Sequence, residues 1–118
     1  MKLDEFFCCV GGGYGEAKAR FQNDERIVRF LNMFPGDDSM QNLTNAMNTG
    51  DTTTAFRAVH TLKGVALNLG LGSLAHASSQ MTEALRGQES MPESVQLLYE
   101  AVQKEHTAVC SALEQLEK

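Results

Sequence analysis

Apolar residues recur at spacings of three and four along almost the whole chain, and alternating strand patterns are absent. That periodicity matches one face of an α-helix and excludes a sheet-based fold. Glycines and prolines punctuate it into segments. Residues 3–10 form a short predicted helix, ended by the breaker "GGGYG". A second runs from about Glu16 to Phe34, and Asn23 with Asp24 is a good N-cap at which it can break. Its apolar face is Ile27, Phe30, Leu31 and Phe34, and Pro35 and Gly36 stop it. Asp38 or Ser39 caps the next helix, which carries Met40, Leu43 and Met47 and ends at Gly50. Asp51 caps a helix that continues to about Leu69. The turn "GLGS" follows, with Ser73 as a cap, and a helix then reaches Arg86 through Leu74, Ala77, Met81 and Leu85. The last helix begins at Pro92, a residue suited to a first helical position. Its stripe is Val95, Leu98, Val102, Val109, Leu113 and Leu116.

Short connections between long amphipathic helices favour antiparallel neighbours. The expected fold is all-α: an antiparallel up-and-down four-helix bundle with one or two additional N-terminal helices. At 118 residues the chain is expected to be a single domain, 1–118, with residues 1–13 an N-terminal helix and Gly-rich turn and 14–118 the bundle core. The net charge of −5 argues against a nucleic-acid partner and against an anionic membrane. The apolar runs are too short to span a bilayer, and "MKLDEFFCCV" lacks the form of a secretory signal. The three cysteines, Cys8, Cys9 and Cys110, suggest reduced thiols and a cytoplasmic protein rather than a disulfide framework. A vicinal redox role for Cys8 and Cys9 is a weaker reading. The glycine cluster is not a phosphate-binding loop, since no strand precedes it and no Gly-Lys-Ser/Thr follows.

The segment "AVHTLKGVALNLG" carries the chemistry. A mid-helix glycine, Gly64, costs roughly 1 kcal/mol relative to alanine and stands one turn beyond His60. With His60 set at zero on a helical wheel, Ala55, Ala58, Leu62, Val65, Ala66 and Leu69 fall at roughly 140° to 240°. The imidazole therefore faces away from the core. Thr53, Phe56, Gly64 and Leu67 lie within about 40° of it, and Arg57 and Lys63 lie about 60° to either side. His76 reads as a solvated residue and His106 as a packed one. No two histidines have i, i+4 ligand spacing, so no metal site is expected.

An exposed imidazole has a nucleophilic nitrogen near neutral pH. A phosphoryl group on it would add close to two negative charges. Lys63 can offset them, Gly64 leaves room for the group, and Phe56, Leu67 and Thr53 can flank a docked protein. Each residue alone has a bland explanation: solvation for the histidine and lysine, helix packing for the glycine. Their coincidence points to phosphotransfer, with a helical interaction module that docks a partner and transfers nothing, or a helical metal or redox protein, as the other readings.

"HTLKG" (His60 to Gly64) resembles the signature of histidine-containing phosphotransfer (HPt) domains. The likeness extends through "NAMNTGDTTTAFRAVHTLKGVALNLGLGSLAHASSQMTEALR" and upstream to "RFQNDERIVRFLNMF", covering roughly residues 14 to 117. In particular the chain resembles small stand-alone HPt proteins of Gram-positive bacteria. The resemblance implies that His60 accepts a phosphoryl group from a receiver-domain aspartate or a kinase and passes it to another receiver aspartate. It implies partners among response-regulator receiver domains and hybrid histidine kinases, no kinase or phosphatase activity, and no cofactor of its own, Mg²⁺ being supplied by the receiver. It makes Lys63 the phosphoryl partner and Gly64 the clearance residue; Arg57, which the wheel places beside His60, is a supporting cation. Several members place a glutamine on the next helix against the active ring. Here that position holds Thr82, which can make only a shorter or water-mediated contact, and Gln80 lies about 200° round the helix from it. A monomer is expected, since nothing demands a dimer.

Overall fold

The structure, a computed structural model, describes residues 1–116. Positions 117 and 118, included in the expected domain range, lie outside the described residues. Among the described residues seven α-helices follow one another: α1 (Leu3–Cys9), α2 (Tyr14–Phe21), α3 (Asp24–Leu31), α4 (Ser39–Thr49), α5 (Thr52–Leu69), α6 (Gly72–Leu85) and α7 (Val95–Gln115). A single 3-10 turn, Phe34–Gly36, separates α3 from α4.

The predicted helix over 16–34 is divided as the sequence allows. Gln22 takes φ = 77° and ends α2, and the Asn23 side chain accepts the Arg26 N–H at 2.9 Å to start α3. The N-terminal layer thus holds three short helices. Phe30, expected on the apolar face, is instead 37% exposed and stacks on Phe21 with ring centroids 4.9 Å apart. Its neighbours Ile27 and Leu31 take the buried positions.

Helices α4 to α7 form the bundle. Gly50 and Gly70 end α4 and α5 at φ = 70° and 75°, a left-handed conformation that glycine adopts without strain. Each reverses the chain within two residues, so α4, α5 and α6 run antiparallel as packed neighbours. Helix α6 packs on α7, and the Tyr99 hydroxyl of α7 donates to Thr44 Oγ1 of α4 at 2.9 Å, closing the ring. The interior contains Leu43, Leu62, Leu74, Met81, Leu85 and Val102. Burying each such side chain contributes about 1.5–3 kcal/mol. Leu62 alone therefore outweighs the ~1 kcal/mol helix penalty of Gly64.

Two expected boundaries move. Pro92 lies in a turn, its carbonyl accepting the Val95 N–H at 3.1 Å, and α7 starts three residues later behind Ser94. A fixed proline φ suits that turn as well as a helix start. Ser73 does not cap α6; Leu71 occupies the N-cap, and the Ser73 N–H donates to the Val10 carbonyl at 3.0 Å.

That last bond marks a junction that periodicity could not reveal. The "GGG" loop after α1 lies directly on the turn between α5 and α6. A Cβ on Gly12 would fall on the Gly70 carbonyl oxygen, and one on Gly72 would fall on the Gly11 carbonyl oxygen. Nearby, one Arg20 Nη donates to the Leu67 and Asn68 carbonyls at 2.8 and 2.6 Å. It satisfies open acceptors at the negative end of α5. Gly12→Ala is therefore expected to lower stability by about 1–3 kcal/mol through backbone overpacking. Gly15→Ala, where a Cβ meets nothing within 4 Å, should be neutral or stabilising. Thermal or urea unfolding of the two variants checks this contrast.

Candidate functional site

Helix α5 begins with a strong cap. The Asp51 carboxylate accepts the Thr54 N–H at 3.1 Å and the Thr54 hydroxyl at 2.7 Å. These bonds, the hydroxyl first, hold the Asp51 pKa below its ordinary value. The buried residues of the helix are Thr52, Ala55, Ala58, Val59, Leu62, Ala66 and Leu69. On the wheel they fill an arc from roughly 160° to 280°, rotated by about 20° to 40° from the expected stripe. Val59 is sealed, while Val65 is only half-buried. His60 is exposed outside that arc, and Gly64, at about 40°, stands directly opposite the arc's centre.

The space around Gly64 separates the two explanations of a mid-helix glycine. A Cβ built there meets nothing within 4 Å. No neighbouring helix comes close enough to require the missing side chain, so helix packing does not account for the glycine.

The remaining residues sort onto two sides of His60. Arg57 is exposed on the α4 side, lining a groove of about 390 Å³ with Asn45, Asp51, Thr54 and Thr61. Thr53 is exposed beyond the ring, and Leu67, 54% exposed, extends the surface toward the C-terminal end of α5. On the α6 side lie Phe56 and Lys63, both half-buried. The Phe56 ring stands 5.9 Å from the His60 ring, tilted by 31°. The Arg86 guanidinium lies 5.3 Å from the Phe56 centroid, a cation–π contact. Arg86 is in turn gripped at two points by Glu83, Nε donating at 3.0 Å and Nη at 3.2 Å.

Thr82 does not take the place expected of it. It is fully buried, and its hydroxyl donates to the Ser78 carbonyl at 2.7 Å within α6. A one-residue step turns a helix by about 100°, and it is exposed Glu83 that α6 directs toward the His60 face. Arg86 does most to hold the Glu83 carboxyl below its ordinary pKa, with Lys63 and His60 contributing. Sequence reading missed Glu83. The signal that could have found it is the i, i+3 pairing of Glu83 with Arg86 at the end of the helix packed beside His60.

The other histidines differ from His60. His76 is exposed and isolated from this cluster. His106 is half-buried on α7, its ring 5.1 Å from that of Phe34, with the Cys110 sulfur 3.8 Å from Nδ1. Burial lowers the His106 pKa from its ordinary value, against an opposing pull from Asp37. Cys110 is shifted upward, also by burial. Cys8 and Cys9 are exposed free thiols. Among the described residues no group of three His, Cys, Asp or Glu side chains could hold a metal ion, and no helix is long and apolar enough to cross a membrane.

An exposed imidazole, an adjacent cation and an open helix face thus stand together on a four-helix bundle. Residues 35–118 match the family model described as the Hpt domain. The chain belongs to the Hpt family. Members of the family carry phosphoryl groups on histidine in phosphorelays and interact with receiver domains or kinases. They are phosphocarriers rather than catalysts. The match begins at Pro35, so α4 to α7 lie within it, while α1 to α3 and the upstream segment likened to the family precede it. No curated protein and no solved structure matches the chain.

The His106 geometry carries a pH signature separate from phosphotransfer. An unfolded histidine takes up its proton near pH 6.5, before the buried ring does. Stability from His106 is thus fully present above about pH 6.5 and is lost as the pH falls through the lowered folded value. Asp51, Glu83 and Asp24, whose pKa values are lowered, lose their contributions in a more acidic window, below the ordinary carboxylate range. Thermal unfolding at about pH 7.5 and about pH 5.5 should show a drop in the native Hpt protein that is smaller in His106→Gln.

Proposed function

We propose that this Hpt protein is a histidine phosphocarrier whose phosphoacceptor is His60. The observation that carries the reading is the unfilled space over Gly64 beside an exposed imidazole, on the face of α5 opposite the core. The neutral ring attacks an aspartyl phosphate through its unprotonated nitrogen. The N–P bond forms as the O–P bond breaks, and the aspartate leaves as a carboxylate. Transfer onward reverses these steps on another receiver aspartate. The chain undergoes no net change and supplies no kinase or phosphatase chemistry.

Lys63 offsets the charge of the phosphoryl group on the α6 side, and Arg57 adds positive potential on the α4 side. Gly64 leaves the volume that the phosphoryl group and the incoming receiver occupy. Phe56, Leu67 and Thr53 form the flanks on which the receiver docks, Phe56 and Leu67 being its apolar contacts. Partners are response-regulator receiver domains or a hybrid histidine kinase. The receiver brings the acidic pocket and Mg²⁺, and this chain contributes no cofactor. The protein is read as a cytoplasmic monomer in which residues 1–118 act as one domain.

The experiment is incubation with a panel of phosphorylated receiver domains, followed through label on the Hpt protein. The expected label is stable to base, labile to acid and absent in His60→Gln. Lys63→Ala should fold normally and transfer about tenfold more slowly, the effect of removing one charge-assisted bond. Binding without label, weakened by Phe56→Ala, would instead establish a docking module and overturn the carrier reading.

A further inference from the structure

The charges beside His60 are arranged as a balance that the phosphocarrier role alone does not explain. Lys63 and Arg86 supply two positive charges on the α6 side, and Glu83 supplies one negative charge. Arg86 is drawn back onto Phe56 and pinned there by both carboxylate oxygens of Glu83. The Phe56 ring touches both, and its two distances, 5.9 Å to the imidazole and 5.3 Å to the guanidinium, place Arg86 within about 11 Å of the His60 ring. Arg57 lies on the other side, where its charge acts on Asp51. A fixed carboxylate next to the site of an incoming dianion opposes that dianion, and it also occupies the one guanidinium on that side able to attract it.

We propose that the Glu83–Arg86 pair sets how far the phosphoryl equilibrium lies toward His60, with Glu83 holding it back and Arg86 drawing it forward. The proposal rests on His60 being the phosphoacceptor. Charge counting gives the signs. With neutral His60, the α6 side carries a net charge of about +1; transfer adds a phosphoryl dianion of about −2 while the ring keeps its other N–H and becomes cationic, which takes the site to about 0. Replacing Glu83 by glutamine takes the phosphorylated site to about +1. Replacing Arg86 by glutamine takes it to about −1, with Glu83 unpaired. The two members of one ion pair therefore act in opposite directions. A merely structural pair would act in one direction, since losing either partner breaks the same contact. Both side chains are exposed, so neither substitution threatens the fold.

The test uses the full chain and a receiver domain that labels the wild-type protein. The ratio of phosphohistidine to receiver phosphoaspartate is measured at equilibrium in low salt, with both proteins dilute. Glu83→Gln is expected to raise this ratio about three- to tenfold and Arg86→Gln to lower it by a similar factor. Both shifts should shrink at about 0.5 M salt as the charges are screened. Ratios unchanged in both variants, or displaced in the same direction, would overturn the proposal while leaving His60 as the acceptor. A wild-type chain that takes no label from any receiver would overturn the acceptor reading and this proposal with it.

Discussion

The division of α5 into a sealed arc and an open arc governs the rest of the structure. Seven buried residues fix the rotation of this helix in the bundle. Once that rotation is fixed, the residues at the opposite pole must face solvent. The penalty of placing a glycine at that pole is about 1 kcal/mol, less than the burial of one leucine on the other side. The bundle can therefore hold a helix whose exposed face departs from what helix propensity alone would favour. The Asp51 cap and the Gly70 reversal hold the two ends of the same helix, and the Arg20 bonds to the Leu67 and Asn68 carbonyls tie its C-terminus to α2.

The local physics of α5 was legible in the sequence because it is periodic. Ala55, Ala58, Leu62, Ala66 and Leu69 mark the core face, and the placement of His60, Arg57, Lys63 and Gly64 around the wheel follows from their spacing. What could not be read was where neighbouring helices would press. Helix α6 packs on the flank that includes Val59, so Val59 is sealed and Val65 is left half-exposed. The same limit explains Thr82 and Glu83. Adjacent positions on one helix point in directions differing by about 100°, and a one-residue error in register exchanges a buried hydroxyl for a surface carboxylate.

The glycine cluster shows a different limit. Gly11 and Gly12 read correctly as a helix breaker, but their second role depends on Gly70 and Gly72, roughly sixty residues away. Close approach between distant backbones leaves no periodic trace. It seats the N-terminal layer, which precedes the matched Hpt region, on the turn that follows α5.

The most direct measurement of the central claim is a size series at Gly64, through alanine, valine and leucine, read for both unfolding free energy and the rate of phosphohistidine formation. Because nothing lies within 4 Å of the added Cβ, stability should hold or rise, by up to about 1 kcal/mol for alanine, while the rate falls with each increase in side-chain volume. Stability that collapses along the series, or a rate indifferent to side-chain size, would contradict the account of an open helix face kept clear for transfer.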